Sequence, residues 1–110
     1  MNYDLAIIGG GAAGMAAAVF ASENGGRTVV IEHNRQLGKK LAITGKGRCN
    51  VTNNSDNDNI MKNIPTGSRF LYSALAGFSA YDTMKFFEGL GVPLKTERGN
   101  RVFPVSDSAK

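Results

Sequence analysis

Residues 3–32 read YDLAIIGGGAAGMAAAVFASENGGRTVVIE, and this stretch decides the fold. The opening run, residues 3–8, is short, mostly apolar and partly β-branched, and three glycines stop it, which predicts a strand buried on both faces. Residues 12–24 are rich in alanine and contain no proline. They close on Gly25-Gly26, where glycine takes the left-handed cap at little cost, so they predict a helix. Residues 28–31, TVVI, predict a second buried strand, ended by Glu32. Strand, glycine turn, helix and strand form a βαβ unit, whose crossover is expected to be right-handed.

Within this unit Gly9-x-Gly11-x-x-Gly14 follows the first strand and opens the helix, and Glu32 lies 18 residues beyond Gly14. That is the context a dinucleotide fingerprint requires. Gly9 allows the tight turn, Gly11 lets backbone approach a pyrophosphate with no Cβ in the way, and Gly14 lets helix and strand pack closely. Ala12 and Ala13 carry the free N–H groups of the helix start, where the dipole favours phosphate. Glu32 can accept from both hydroxyls of an adenosine ribose, and its charge disfavours a 2′-phosphate. The fingerprint alone does not separate NAD from FAD.

Outward from the unit runs a polar, glycine-punctuated stretch over residues 33–53, in which only residues 41–44 suggest a short element. Lys39, Lys40, Lys46 and Arg48 cluster in it and suit an anionic ligand through charge-assisted hydrogen bonds. A solvated basic loop is the plainer alternative. Residues 53–59, NNSDNDN, hold no apolar anchor and read as a mobile, solvated segment. Helical spacing returns over residues 69–76 and 80–88, with Ser79 and Asp82 placed as a capping box. Phe70, Tyr72, Phe78, Phe86 and Phe87 are expected in the core rather than on a base-stacking surface. Residues 92–97 and 101–103 read as strands joined through a Gly99-Asn100 turn, and residues 106–108 as a helix start.

Composition narrows the rest. A chain of 110 residues, 42% of them hydrophobic, makes one domain or part of one. It shows no apolar run of membrane-spanning length and no secretory leader, so a cytoplasmic location without membrane contact is expected. One cysteine, Cys49, and one histidine, His33, exclude an internal disulfide, a CxxC relay and a metal cluster of Cys and His ligands. Cys49 suits a packing or cofactor-contact role better than a nucleophile's. His33 is read as facing solvent or an adenine edge, and no residue stands out as a catalytic acid or base. Thr44-Gly45-Lys46-Gly47 lacks the spacing of a P-loop, and Asp56-Asn57-Asp58 lacks the ligands of a calcium loop. The net charge of +4 favours anionic partners without naming one.

Several segments together resemble a bacterial family of FAD-dependent oxidoreductases, the aminoacetone oxidase-like or BaiN-type flavoproteins. They are GGGAAGMAAA at 9–18, Glu32, GKKLAITGKGRCNVTN at 38–53 and GLGVPLKTERGNRVFPVS at 89–106, so the resemblance covers nearly the whole chain. It implies an α/β chain: a Rossmann-like FAD- or NAD(P)-binding βαβ unit, then a glycine-rich loop and a small helical and β-hairpin segment. It also implies that residues 1–110 are the N-terminal portion of a larger flavoprotein, inactive alone and completed by the remainder of that protein. Residues 1–53 would be the dinucleotide unit and flavin loop, 54–68 a flexible polar linker, and 69–110 helices with short strands. Adenosine and pyrophosphate would rest on Gly9, Gly11, Ala12, Ala13, Gly14 and Glu32. Lys40, Gly45, Gly47, Arg48, Cys49 and Asn50 would approach the rest of the flavin nucleotide. The full enzyme would exchange hydride between FAD and NAD(P)H or an organic substrate whose identity the residues do not specify. An NAD-dependent dehydrogenase is the first alternative, disfavoured because strands and helices do not alternate after Glu32. An RNA-modifying flavoprotein acting on tRNA is the second, disfavoured because the basic residues lie inside the cofactor motif.

Overall fold

A computed structural model describes residues 2–110. Its contacts divide the chain between Thr44 and Gly45 into two units. In the first, β1 (Leu5–Ile8) and β2 (Thr28–Ile31) pair in parallel, Leu5 opposite Thr28 and Ile8 opposite Ile31, with α1 (Ala12–Glu23) between them in sequence. The helix ends as glycine-rich sequence predicts, with Gly25 at φ +86° and its N–H on the Ser22 carbonyl at 3.0 Å. The expected βαβ order is therefore present. The expected burial is not: Ile8 is 79% exposed, Ile31 52% and Leu5 42%. A parallel sheet buries both faces only when layers cover both, and among the described residues α1 is the helix that packs closely on this pair.

The second unit holds a three-stranded antiparallel sheet in the order β3 (Thr52–Asn53), β5 (Arg101–Pro104), β4 (Leu94–Glu97). Glu97 faces Arg101 across the hairpin, and Gly99 and Asn100 turn the chain at φ +75° and +60°, so the predicted turn forms where it was read. Central strand β5 carries the core, with Val102 and Phe103 inaccessible to solvent or nearly so. Pro104 of the same strand and Ala80, at the start of α4 (Ala80–Gly89), are buried with them. Among the described residues no helix is long and apolar enough to cross a membrane.

Four expectations are corrected here. Residues 45–53 pack with the second unit rather than with the βαβ unit, because Val51 N–H donates to the Val102 carbonyl (2.8 Å) and Ala109 N–H to the Gly47 carbonyl (2.9 Å). The linker assigned to residues 54–68 contains a helix, α2 (Asn57–Lys62). Asp56 Oδ1 caps it from Asn59 N–H at 2.8 Å, and Asn57 Nδ2 ties it to the Leu75 carbonyl of α3 (Tyr72–Gly77) at 3.0 Å. Asparagine and aspartate are poor inside helices yet strong at their ends, so a run of them conceals a capped turn. Of the expected core aromatics, Phe86 and Phe87 stack edge to face at 5.2 Å, but Phe70 is 88%, Tyr72 64% and Phe78, whose ring meets Phe86 at 6.3 Å, 42% exposed. Phe70 falls on a 3₁₀ turn (Ser68–Leu71) rather than on α3, which breaks the spacing that would have turned it inward. Finally, residues 106–108 start no helix: Asp107 has φ +55°, whereas a helix cap needs extended backbone.

Candidate nucleotide site

In the first unit the fingerprint glycines divide by function. Gly9 turns at φ +98° and its N–H donates to the Ile31 carbonyl at 2.8 Å, closing the turn on the end of β2. A Cβ on Gly14 would lie 1.9 Å from the Gly9 carbonyl oxygen, a distance no side chain tolerates. A Cβ on Gly11 would meet nothing within 4 Å. Protein backbone thus fills the space at Gly14, whereas the space at Gly11 is open. Gly11 is also the N-cap of α1; it supplies no side-chain cap, and no acid stands in the first turn. The first N–H groups of α1, from Ala12 onward, are left without a side-chain cap, as an anion site would have them.

Glu32 is held from three directions. Its Oε1 accepts from Gly10 N–H at 2.8 Å, and its Oε2 accepts from Asn34 N–H at 2.8 Å and Asn34 Nδ2 at 3.0 Å. His33, its side chain 92% exposed, brings Nδ1 to 3.3 Å from the same Oε2. The backbone N–H of Asn34, then that of Gly10, hold the carboxyl below its ordinary pKa. A carboxylate offers about four acceptor positions, and three are occupied, so the open one lies on Oε1. The reading in which Glu32 receives both ribose hydroxyls meets a carboxylate with room for one.

Gly10, Asn34 and Gly38 escape the sequence reading. Gly10 contributes the N–H that aims Glu32, and its carbonyl accepts from Gly38 N–H at 2.7 Å. A backbone donor leaves no side-chain signature, though a glycine between the first two of the fingerprint was a visible hint. Lys40 is exposed at the end of this unit.

The remaining predicted residues lie in the second unit, where Gly45 and Arg48 approach Phe103. Gly45 has φ +58°, and a Cβ there would lie 2.8 Å from Phe103 Cε1. Gly47 is at φ +89° and Cys49, half-buried with a free thiol, at φ +67°. Asn50, its amide nitrogen turned toward the sheet, donates to the Val102 carbonyl at 3.3 Å and the Thr52 carbonyl at 3.1 Å. The Arg48 guanidinium lies 4.0 Å above the Phe103 ring and pairs with Glu97 and Asp107.

A parallel βαβ pair with an open glycine at an uncapped helix start, and an acid fixed at the end of the second strand, defines a dinucleotide-binding Rossmann domain. The chain belongs to the HI0933-like protein Rossmann domain family, whose profile matches residues 3–110. It is 36% identical over 107 residues to the 3-dehydro-bile acid delta(4,6)-reductase of Clostridium scindens, covering 96% of this chain and 25% of that protein. It is 32% identical over 109 residues to the ribosomal RNA dihydrouridine synthase of Escherichia coli, covering 99% of this chain and 26% of that one. The protein of the same name from Haemophilus influenzae is 27% identical over 97 residues. The chain thus spans about a quarter of the length of the curated relatives it matches. Family and relatives make it an FAD-binding Rossmann domain. Its residues fit that cofactor: the opening at Gly11, the uncapped N–H groups of α1 and the free acceptor on Glu32 suit a pyrophosphate and a ribose.

Proposed function

We propose that the full-length protein is a cytoplasmic reductase that saturates a carbon–carbon double bond conjugated to a carbonyl in a small organic substrate, with NAD(P)H as donor. The observation that carries the nucleotide half of this reading is the contrast between Gly11, open, and Gly14, closed against the Gly9 carbonyl. The substrate half draws on relatives named a delta(4,6)-reductase and a dihydrouridine synthase, both names describing saturation of a ring double bond. When bound, FAD supplies the hydride relay from NAD(P)H to that bond, and solvent supplies the proton. This chain's own contribution is binding and orientation. Residues 9–14 and Glu32 hold the adenosine and pyrophosphate, and residues 45–50 are assigned to the flavin side. The negative charge of Glu32 disfavours a 2′-phosphate on the nucleotide it binds.

A second reading, reduction of a uridine in RNA, is favoured by the two relatives named ribosomal RNA dihydrouridine synthase. The two readings separate in one assay. Full-length protein is titrated with FAD by flavin fluorescence, with FMN and NAD as competitors, and then given NAD(P)H with either a cyclic enone or unmodified ribosomal RNA. FAD binding that FMN does not displace, followed by NAD(P)H oxidation with the enone alone, supports the first reading. Consumption of NAD(P)H only with RNA, together with dihydrouridine in the digest, establishes the second. Failure to bind FAD sinks both.

A further inference from the structure

Arg48 stands in the segment assigned to the flavin, and a guanidinium is the strongest anion-binding group a side chain offers. In this structure that capacity is already spent. Its Nε and Nη2 each lie 2.8 Å from Asp107 Oδ1, and Nη2 also reaches Glu97 Oε2. Lys95 Nζ lies 3.1 Å from Glu97 Oε2 and 2.7 Å from Asp107 Oδ2. The four charges close into a ring in which each cation meets both anions. The ring joins three separate pieces of chain: residue 48, strand β4 and the turn after β5. Beneath it lies Phe103, 2% exposed, with the guanidinium 4.0 Å above its ring.

We propose that Arg48 is a positioning residue, which fixes the backbone of residues 45–50 against β5 and does not itself take up a cofactor phosphate. This rests on the reading that residues 45–50 serve the flavin. Two features support it. To bind phosphate, Arg48 would have to leave Glu97 and Asp107 sharing Lys95 alone, which places an uncompensated negative charge beside an anionic ligand. The loop also needs an anchor: Gly45, Lys46, Gly47 and Cys49 all have positive φ, and Arg48 sits within that run with its side chain pinned at both ends.

The two roles predict effects of opposite sign. Glu97→Gln and Asp107→Asn each remove a competitor for Arg48 without touching the loop. If Arg48 held the cofactor, freeing it would tighten FAD binding. If it positions the loop, both variants weaken FAD binding, by roughly tenfold for a lost orienting charged bond. In the full-length protein we expect that weakening, with the visible flavin band at saturating FAD displaced in the same direction as in Arg48→Ala. Arg48→Lys, which keeps the charge without the planar fork, should not restore the band, and Arg48→Ala with Glu97→Gln should be no worse than Arg48→Ala alone. Tighter binding in Glu97→Gln or Asp107→Asn overturns the proposal while leaving FAD binding intact. A lowered melting temperature with an unchanged saturated spectrum also overturns it, since the ring would then be a fold element only. A wild-type protein that binds no FAD overturns the flavin reading, and this proposal with it.

Discussion

Gly11 and Gly14 are the same residue doing opposite work, and substitution separates them. Gly14→Ala places a methyl 1.9 Å from the Gly9 carbonyl oxygen, so α1 and β1 must part. We expect a loss of about 1–3 kcal/mol, as for other overpacked contacts, read as a lower denaturation midpoint. Gly11→Val points into open space and should unfold the protein far less, yet it should abolish FAD binding through a clash with the pyrophosphate. Melting curves and FAD titrations on both variants check this; a Gly11→Val protein that binds FAD normally would remove the pyrophosphate from the glycine turn. The three fingerprint glycines were legible because their spacing encodes a backbone shape. The restraints on Glu32 were not, because two of the three come from backbone N–H groups that any residue could supply.

At the scale of the element, capping chemistry was legible in one helix and hidden in another. Ser79 and Asp82 form the box their spacing predicts: Ser79 Oγ accepts from Asp82 N–H at 3.2 Å, and Asp82 Oδ2 accepts from Ser79 N–H at 2.9 Å. Ser79→Ala removes half of it and should destabilise the second unit by about 1 kcal/mol, with Ser79→Thr close to wild type; chemical denaturation measures both. Helix α2 has a single cap, Asp56 accepting from Asn59 N–H, but no apolar spacing announced it. Its six residues lie in NNSDNDN and the IMK that follows, where turn, linker and cap share one vocabulary. Strand β5 shows the converse. Arg101 to Pro104 reads as four ordinary residues, and only its place between β3 and β4 makes Val102 and Phe103 the core.

For the whole molecule, charge is the property most easily misread from composition. The excess of cations in residues 39–48 suggested a loop open to anions, yet Arg48 is neutralised by partners 49 and 59 residues away, a pairing no local reading reaches. Hydrogen bonds from Arg48, then Lys95, hold Glu97 below the ordinary carboxylate range, and those from Lys95, then Arg48, do the same for Asp107. Hydrogen bonds to Asp107 and Glu97 raise Lys95. The sign follows from linkage. Stabilisation from the two carboxylates is complete above their ordinary pKa and is lost as pH falls through their lowered values, while that from Lys95 is complete below its ordinary pKa and is lost as pH rises through its raised value. The ring is therefore whole at neutral pH. Melting temperatures should fall on acidification below about pH 4. In Glu97→Gln combined with Asp107→Asn the neutral value should be lower and the acid limb shallower; equal acid limbs in both proteins would show that other carboxylates govern it.

The run at Gly45, Lys46 and Gly47 has a stereochemical consequence. Three successive positive φ values put this turn in the half of backbone space that L residues avoid. The segment is thus one of the few places in a natural chain where a D-amino acid would be at home. At Gly47, where the backbone already takes φ +89°, a D-alanine introduced by chemical ligation would meet a conformation suited to its own handedness, and L-alanine would not. Handedness, more than size, is what this position asks of its residue.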